Sequence, residues 1–351
     1  MAIPGAGCYA EALLRIGDHA FGGNGELMAD GTSQEAMSHL LLLKNGLVLQ
    51  QLAARLIAIE PGGRLNTVAD YARETKAGQG TVQKALRTLE QIGAIRVQPR
   101  GHLGAFLIES NIAELWRATG RSYVRGLCPL PDSPELEGFA TGVVECFESV
   151  GLRLHLSFLP GSARRLDELL GGSVDFAACS LAAARTASSN DAKFEIVYRG
   201  SPGTYYAADS LRLLSKRPLP ARRALRVGID RSSYDHVLLT QAWLSTDRTS
   251  RRTELCDISY HLIPDLVMRG AIDIAVWHQT NRRLQGSLEE VELIRPESVI
   301  AEDTWKDVSS LALIARSDDL AVHAVFRRLV DADRVEAVES EVIRGVRIPR
   351  Y

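Results

Sequence analysis

Long apolar runs are missing from this 351-residue chain. The stretch from Val48 to Ile59 is broken by Gln50, Gln51 and Arg55, well short of the roughly 20 apolar residues that cross a bilayer, so no membrane association is expected. The opening residues Met1-Ala2-Ile3-Pro4 carry no basic cluster ahead of an apolar core, so a secretory leader is not expected and the cytoplasm is the expected location. Cysteine is scarce. Cys8, Cys128, Cys146, Cys179 and Cys256 are odd in number and scattered, without CxxC spacing or a nearby His pair, which argues against a disulfide framework and a zinc site. Catalytic signatures are wanting as well: the chain has no Gly-x-x-x-x-Gly-Lys-Ser/Thr loop, no Gly-x-Ser-x-Gly elbow and no His-Glu-x-x-His. The expectation is a protein with no cofactor, no metal and no enzymatic activity. An enzyme would have to draw on the dispersed His155, His236, His261 or His278 with nearby carboxylates.

What is present is a chain too long for one ordinary core, with a hydrophobic share of 46% and a charged share of 24%, both normal for folded domains. The net charge of −2 hides an asymmetry. Between Lys44 and Gly104 stand nine basic residues against four acidic, leaving 32 against 39 elsewhere. A basic module on an acidic body is the electrostatic footprint of a nucleic-acid reader.

Residues 1–36 are glycine-rich and read as a loosely ordered or loosely helical extension. From Met37 to Ile59, apolar Leu40, Leu43, Leu47, Leu52, Leu56 and Ile59 recur at helical spacing until Pro61-Gly62-Gly63 stops them. Thr67-Val68-Ala69-Asp70 fits a capping box that opens a second helix running to about Glu74, and a tight turn follows over Thr75 to Gly80. From Gly80 to Ile92 the apolar Val82, Ala85, Leu86, Leu89 and Ile92 share one face, with Gln79, Thr81, Gln83, Lys84 and Arg87 pointing elsewhere. Ala94–Gln98 and Ala105–Ile108 read as the strands of a hairpin around Pro99–Gly104. Three helices and a hairpin make a winged helix-turn-helix, whose third helix enters a major groove. Lys84, Arg87 and Arg100 are then candidates for phosphates, Gln79, Thr81 and Gln83 for base edges, and His102 for a minor groove at the wing tip. Double-stranded DNA is the expected partner. A merely solvated helix face, or a winged helix serving protein contacts, is the competing reading.

Beyond a helical linker at 111–120 the pattern turns to short apolar strands alternating with helices, the grammar of an α/β domain. Strands are expected at Tyr123–Leu127, Leu152–Phe158, Phe176–Cys179, Phe194–Tyr198, Ser210–Leu214, Leu225–Ile229, Ile274–Trp277 and Leu311–Ala315. Ser133-Pro134-Glu135 and Ser232-Ser233-Tyr234-Asp235 read as helix starts, the latter as a second capping box. Residues just past strand ends are where open α/β sheets bind ligands, so Pro129, Leu130, Gly161, Ser162, Ser180, Arg231, Ser232, Ser233, Trp277 and His278 are the candidate cleft lining. Arg231 with the Ser232 and Ser233 amides would suit a carboxylate or phosphate, so the expected effector is a small anion, with Trp277 as an apolar wall. The alternative is that Ser232 only caps its helix and Trp277 is only core. An internal echo, Leu169 to Ala177 against Val267 to Ala275, gives helix, Gly-x-x-Asp and buried strand twice.

The segment Arg64-Leu65-Asn66-Thr67, the run from Gly80 to Glu90 and the Gly93–Gly104 wing resemble the GntR-type DNA-binding domain, with Gly78-Gln79 where that family carries Ser-Arg. The Gly-x-x-Asp phrase looks like periplasmic binding proteins and the effector domains of LysR-type regulators. Over Gly46 to Tyr351 the chain resembles the YhfZ family of transcriptional regulators, through strings that include Cys128-Pro129-Leu130-Pro131, Gly138-Phe139-Ala140-Thr141-Gly142 and Asp257-Ile258-Ser259-Tyr260-His261. The resemblance implies a multi-domain protein: a winged helix-turn-helix at 37–110, the linker helix, and a two-lobed α/β domain of the type 2 periplasmic-binding-protein kind at 121–351. A homodimer is expected from the logic of paired half-sites, with a small-molecule effector as the second partner.

Overall fold

The computed structural model describes residues 45–207, 210–215, 219, 224–246, 252–278, 291–293, 298 and 300–351. The expected extension at 1–36 and the first turns of the first helix lie outside them.

A helix over 45–57 (α1) buries Val48, Leu52, Ala53, Leu56 and Ile57. Helix α2 (Val68–Glu74) opens on the expected capping box: Thr67 Oγ1 accepts from the Asp70 amide at 3.1 Å and Asp70 Oδ2 accepts from the Thr67 amide at 3.2 Å. Helix α3 (Gln79–Gln91) follows Gly78 with no side-chain cap, so the turn is two residues shorter than expected and Gly80 is helical. Strands β1 (Ile95–Pro99) and β2 (Ala105–Ser110) pair antiparallel around a short helical turn at Gly101–Leu103. Gly104, at φ 91°, makes the return in a conformation that costs glycine little. Helix α4 (Ile112–Ala118), capped by Asn111, lies in the place of the linker. It is embedded: Leu115 and Trp116 are fully buried in a core continuous with both the winged module and the α/β domain.

The α/β domain is built twice over. Its first lobe holds β3 (Val124–Cys128), α5 (Pro134–Glu148), β4 (Leu154–Phe158), α6 (Ser162–Leu170), β5 (Phe176–Ser180), α7 (Leu181–Asn190) and β6 (Phe194–Pro202). The second holds β7 (Leu211–Ser215), β8 (Leu225–Ile229), α8 (Tyr234–Thr246), β9 (Thr253–Asp257), α9 (Ile263–Met268), β10 (Ile274–His278) and β11 (Val291–Leu293). The chain then passes through α10 (Glu302–Ser309), returns to the first lobe as β12 (Ser310–Arg316) and ends in α11 (Leu320–Leu329) and α12 (Ala332–Ile343).

The strand orders are β4-β3-β5-β12-β6 and β9-β8-β10-β7-β11. In each sheet three strands run parallel, and the fourth, β12 or β7, runs antiparallel to its neighbours. This is the two-lobed architecture of binding proteins. The internal echo has a physical content. Asp175 pairs with Arg125 and accepts its amide at 2.8 Å, while Asp273 does the same for Arg226 at 2.9 Å, so the Gly-x-x-Asp phrase pins equivalent strands in both lobes.

Two strands, β9 and β11, had no counterpart among those expected from sequence. β9 is an edge strand with only Cys256 even half-buried, so its residues show no apolar alternation. The second capping box is also corrected. α8 starts at Tyr234, the residue before it is Ser233, whose Oγ accepts from His236 N at 3.4 Å, and Asp235 turns into the interior. Cys128 and Cys179 are buried, and burial pushes both thiols up to about 12, far from a reactive thiolate.

Candidate functional site

Two surfaces collect chemistry. On the winged module, α3 buries Val82, Ala85 and Leu89 and leaves Gln79, Gln83, Lys84 and Arg87 exposed, with Thr81 half-buried. Arg55, Arg73 and Arg96 are paired with Glu74, Asp70 and Glu109. Lys76, Lys84, Arg87 and Arg100, by contrast, form no ion pair among the described residues. The Arg100 guanidinium lies 4.5 Å over the Phe106 ring, which holds a positive charge on the wing, and His102 is exposed at its tip. The polar candidates named from sequence therefore share the free side of α3 and the wing.

The second surface is the cleft between the lobes, formed past the carboxyl ends of β3, β4 and β8. It is lined by Pro129, Leu130 and Asp132, by Gly161, Ser162 and Arg165, by Tyr205 and Tyr206 in the crossover, and by Asp230, Ser233, Tyr260 and His261. The cavity is about 60 Å³. The lobes touch directly beside it: Ala163 N donates to Ser232 O (3.0 Å), Tyr234 N to Ser162 Oγ (3.1 Å), and Ser180 Oγ to Asp235 Oδ1 (2.5 Å). Gly161, at φ 85°, sits so close that a Cβ there would stand 2.3 Å from Ser232 Oγ.

Of the residues expected in the cleft, Pro129, Leu130, Gly161, Ser162 and Ser233 line it. The others do not. Arg231 is exposed, its Nε donates to Asp257 Oδ1 at 2.6 Å, and it is not part of the cavity lining. Ser232 Oγ donates to Asp230, so this residue neither caps α8 nor faces the cavity. Ser180 is wholly buried and caps α7. Trp277 belongs to the core of the second lobe with Ile263, Val267 and Ile272. His278 lies behind the wall, its ring stacked on Tyr206 with centroids 3.6 Å apart and its amide donating to the Tyr260 hydroxyl at 2.9 Å. Burial, aided by His236, drives its pKa down to about 3, so it stays neutral.

The site's charge comes from Arg165, which sequence reasoning missed, and from Asp132 and Asp230, which lie in the loops expected past β3 and β8. Arg165 is 2% exposed; its guanidinium donates to the Ala178 and Leu159 carbonyls (2.8 and 2.7 Å) and reaches the Tyr205 hydroxyl at 3.4 Å. The signal was a charged residue on the apolar face of α6, four positions before buried Leu169. Asp132 faces the cavity with no ion pair among the described residues, and burial, reinforced by Glu135, pushes it up to about 6. Burial works against the charge of Asp230 too, but the bonds from Ser232 and the Tyr260 amide outweigh it and hold this carboxyl below its usual range. Asp235 sits next to the cleft, pushed up to about 7 by burial against the pull of Ser180 and Arg165.

Comparison with known proteins was made on sequence and on fold. A sequence profile of the YhfZ C-terminal domain matches residues 111–351, and a helix-turn-helix domain profile matches residues 60–107. The chain is similar to the uncharacterized protein YhfZ of Escherichia coli strain K12, at 27% identity over 317 residues, 90% of this chain and 100% of that one. Among solved structures it is similar to YhfZ from Shigella flexneri, with a TM-score of 0.54 and 24% identity over 69% of this chain and 98% of that one. A weaker similarity, TM-score 0.42 at 13% identity, links 65% of the chain to all of a periplasmic substrate-binding protein of an ABC transporter from Coxiella burnetii.

Proposed function

The chain belongs to the YhfZ family, and from that premise we propose that it is a cytoplasmic, dimeric transcriptional regulator that reads DNA through α3 and the wing and takes a small-molecule effector in the interlobe cleft. The observation that carries the proposal is the free face of α3. Gln79, Gln83, Lys84 and Arg87 stand exposed opposite a buried apolar stripe, while Asp70 and Glu74 are taken up by Arg73 and Arg55. Phosphate contacts position such a helix and glutamine amides read base edges. A GntR-like mode of docking fits this face, with Gln79 standing where that family has arginine.

Binding suits the cleft better than catalysis. His236, buried behind the cleft, has both ring nitrogens engaged: Nδ1 accepts from the Asp230 amide at 2.9 Å, and Nε2 faces the Val276 carbonyl at 2.8 Å. Burial lowers the pKa of His236, and of His261 in the cavity lining, so both favour the neutral ring.

The test is fluorescence anisotropy of the full chain on DNA from upstream of its own gene, with scrambled competitor, over a range of salt. The expected result is competitor-resistant binding that weakens with salt. Arg87→Ala should weaken binding to every sequence and reduce the log–log salt slope by about one. Absence of binding by a folded protein at all salts would refute the DNA-reading role.

A further inference from the structure

The cleft holds a buried cation, Arg165, and a carboxylate, Asp132, that unlike Asp230 takes no hydrogen bond from another side chain or loop among the described residues, and the two form no ion pair. Arg165, almost wholly buried, is bonded only to neutral acceptors: two backbone carbonyls and a tyrosine hydroxyl. Its nearest acid by electrostatic influence, Asp235, is bonded to Ser180 instead, and no ion pair joins it to Arg165 among the described residues. A buried guanidinium without an anion in contact is costly, and a ligand oxyanion that completes it is correspondingly favoured. Asp132, in the loop after β3, lines the same cavity as Tyr206 and Tyr260. A carboxylate that shares a cavity with aromatic rings is the chemistry that receives an ammonium group. The outward turn of Arg231 removes the second cation that a purely anionic ligand would want.

We propose that the effector is a small zwitterion of the amino-carboxylate class, its carboxylate held by Arg165 and its ammonium by Asp132 between Tyr206 and Tyr260. This rests on the effector reading above and gives it a chemical class.

The experiment is titration calorimetry of the full chain with glycine, L-alanine, D-alanine, β-alanine and L-serine, set against propionate and propylamine as single-charge analogues. At least one zwitterion is expected to bind, with both single-charge analogues weaker by about thirtyfold or more, the loss that follows removal of one partner from a buried charge pair. Arg165→Lys should abolish binding, but Arg165 also ties two backbone carbonyls and this variant is exposed to misfolding. Asp132→Asn is the decisive one: removing a carboxylate that burial disfavours, it should fold with a melting temperature at neutral pH no lower than the parent's and lose zwitterion affinity by a similar factor. Propionate or propylamine binding as tightly as the zwitterions, or an Asp132→Asn variant that binds them as well as the parent does, would overturn the zwitterion and leave an effector site of other chemistry. Failure of all seven compounds would overturn the zwitterion and count against the effector reading as well.

Discussion

Asp235 shows how one side chain ties the closed cleft to pH. It is 1% exposed, one oxygen accepts from Ser180 across the lobes, and the other has no hydrogen-bond partner among the described residues. Its folded value of about 7 stands above the unfolded carboxylate value of about 4. The folded state therefore holds the proton more tightly. The stabilisation is fully present below about pH 4 and is lost as pH rises through 7. Asp235→Asn keeps the size and the bond from Ser180 while removing the titration. Between pH 4 and 8 the melting temperature of the variant is expected to fall less steeply than that of the parent; parallel curves would place the linked proton elsewhere. Comparing parent with variant also cancels the slope from Glu339, another buried carboxyl, which burial and neighbouring glutamates push up to about 9. At this scale the sequence was legible wherever topology decides. Pro129, Leu130, Gly161 and Ser162 follow strand ends, and loops past strand ends meet in the cleft whatever their composition. Side-chain direction was not legible. All five residues of β10 are buried, so no alternation tells Trp277, which packs into the core, from His278, which backs the cleft wall.

Among elements, the pairing of α5 with α12 explains one of the strings shared with the family. At Gly138 a Cβ would stand 2.6 Å from Glu339 Cα, and at Gly142 one would stand 3.1 Å from Val335 Cα. The two helices touch backbone to backbone where side chains would hold them apart. Gly138→Ala is expected to destabilise by about 1–3 kcal/mol through overpacking, less roughly 1 kcal/mol gained in helix propensity. Gly80→Ala, also within a helix but facing open space, is expected to be neutral or stabilising by up to about 1 kcal/mol. Urea unfolding of both variants checks the pair, and equal effects would refute the contact as the reason for Gly138. Periodicity made α3 and most of the strands readable and caps made α2 and α5 so, since Thr67 and Ser133 each serve an amide three residues on. The start of α8 misled because Ser232 and Ser233 offer the same hydroxyl one residue apart. Only tertiary structure, which turns Ser232 to Asp230, selects between them.

Over the whole molecule, the winged module is joined to the first lobe by a shared core and not by a loose tether. Leu107, Ile112, Leu115 and Trp116 belong to the same buried cluster as Val124, Phe139 and Phe147. Arg121 stacks on Trp116 with its guanidinium 4.1 Å from the ring and pairs with Asp319 at 2.7 Å. From α11, Arg328 donates to the Ile57 carbonyl at 3.1 Å and to Ser110 Oγ at 3.2 Å. The second lobe packs around two smaller clusters, one of which also takes in Ala182 of α7 and Val308 of α10. Under the proposed function, closure of the cleft would move the second lobe against a body that already includes α3. Trp116→Ala tests this division. Removing a fully buried indole costs about 3–5 kcal/mol. That cost is expected in amide hydrogen exchange as a joint loss of protection in α1, α3, β3 and β5, with β8 and β10 nearly unchanged. If protection falls in α1 and α3 alone, the two modules unfold separately, α4 is a hinge, and effector-driven motion reaches the winged helix through that hinge.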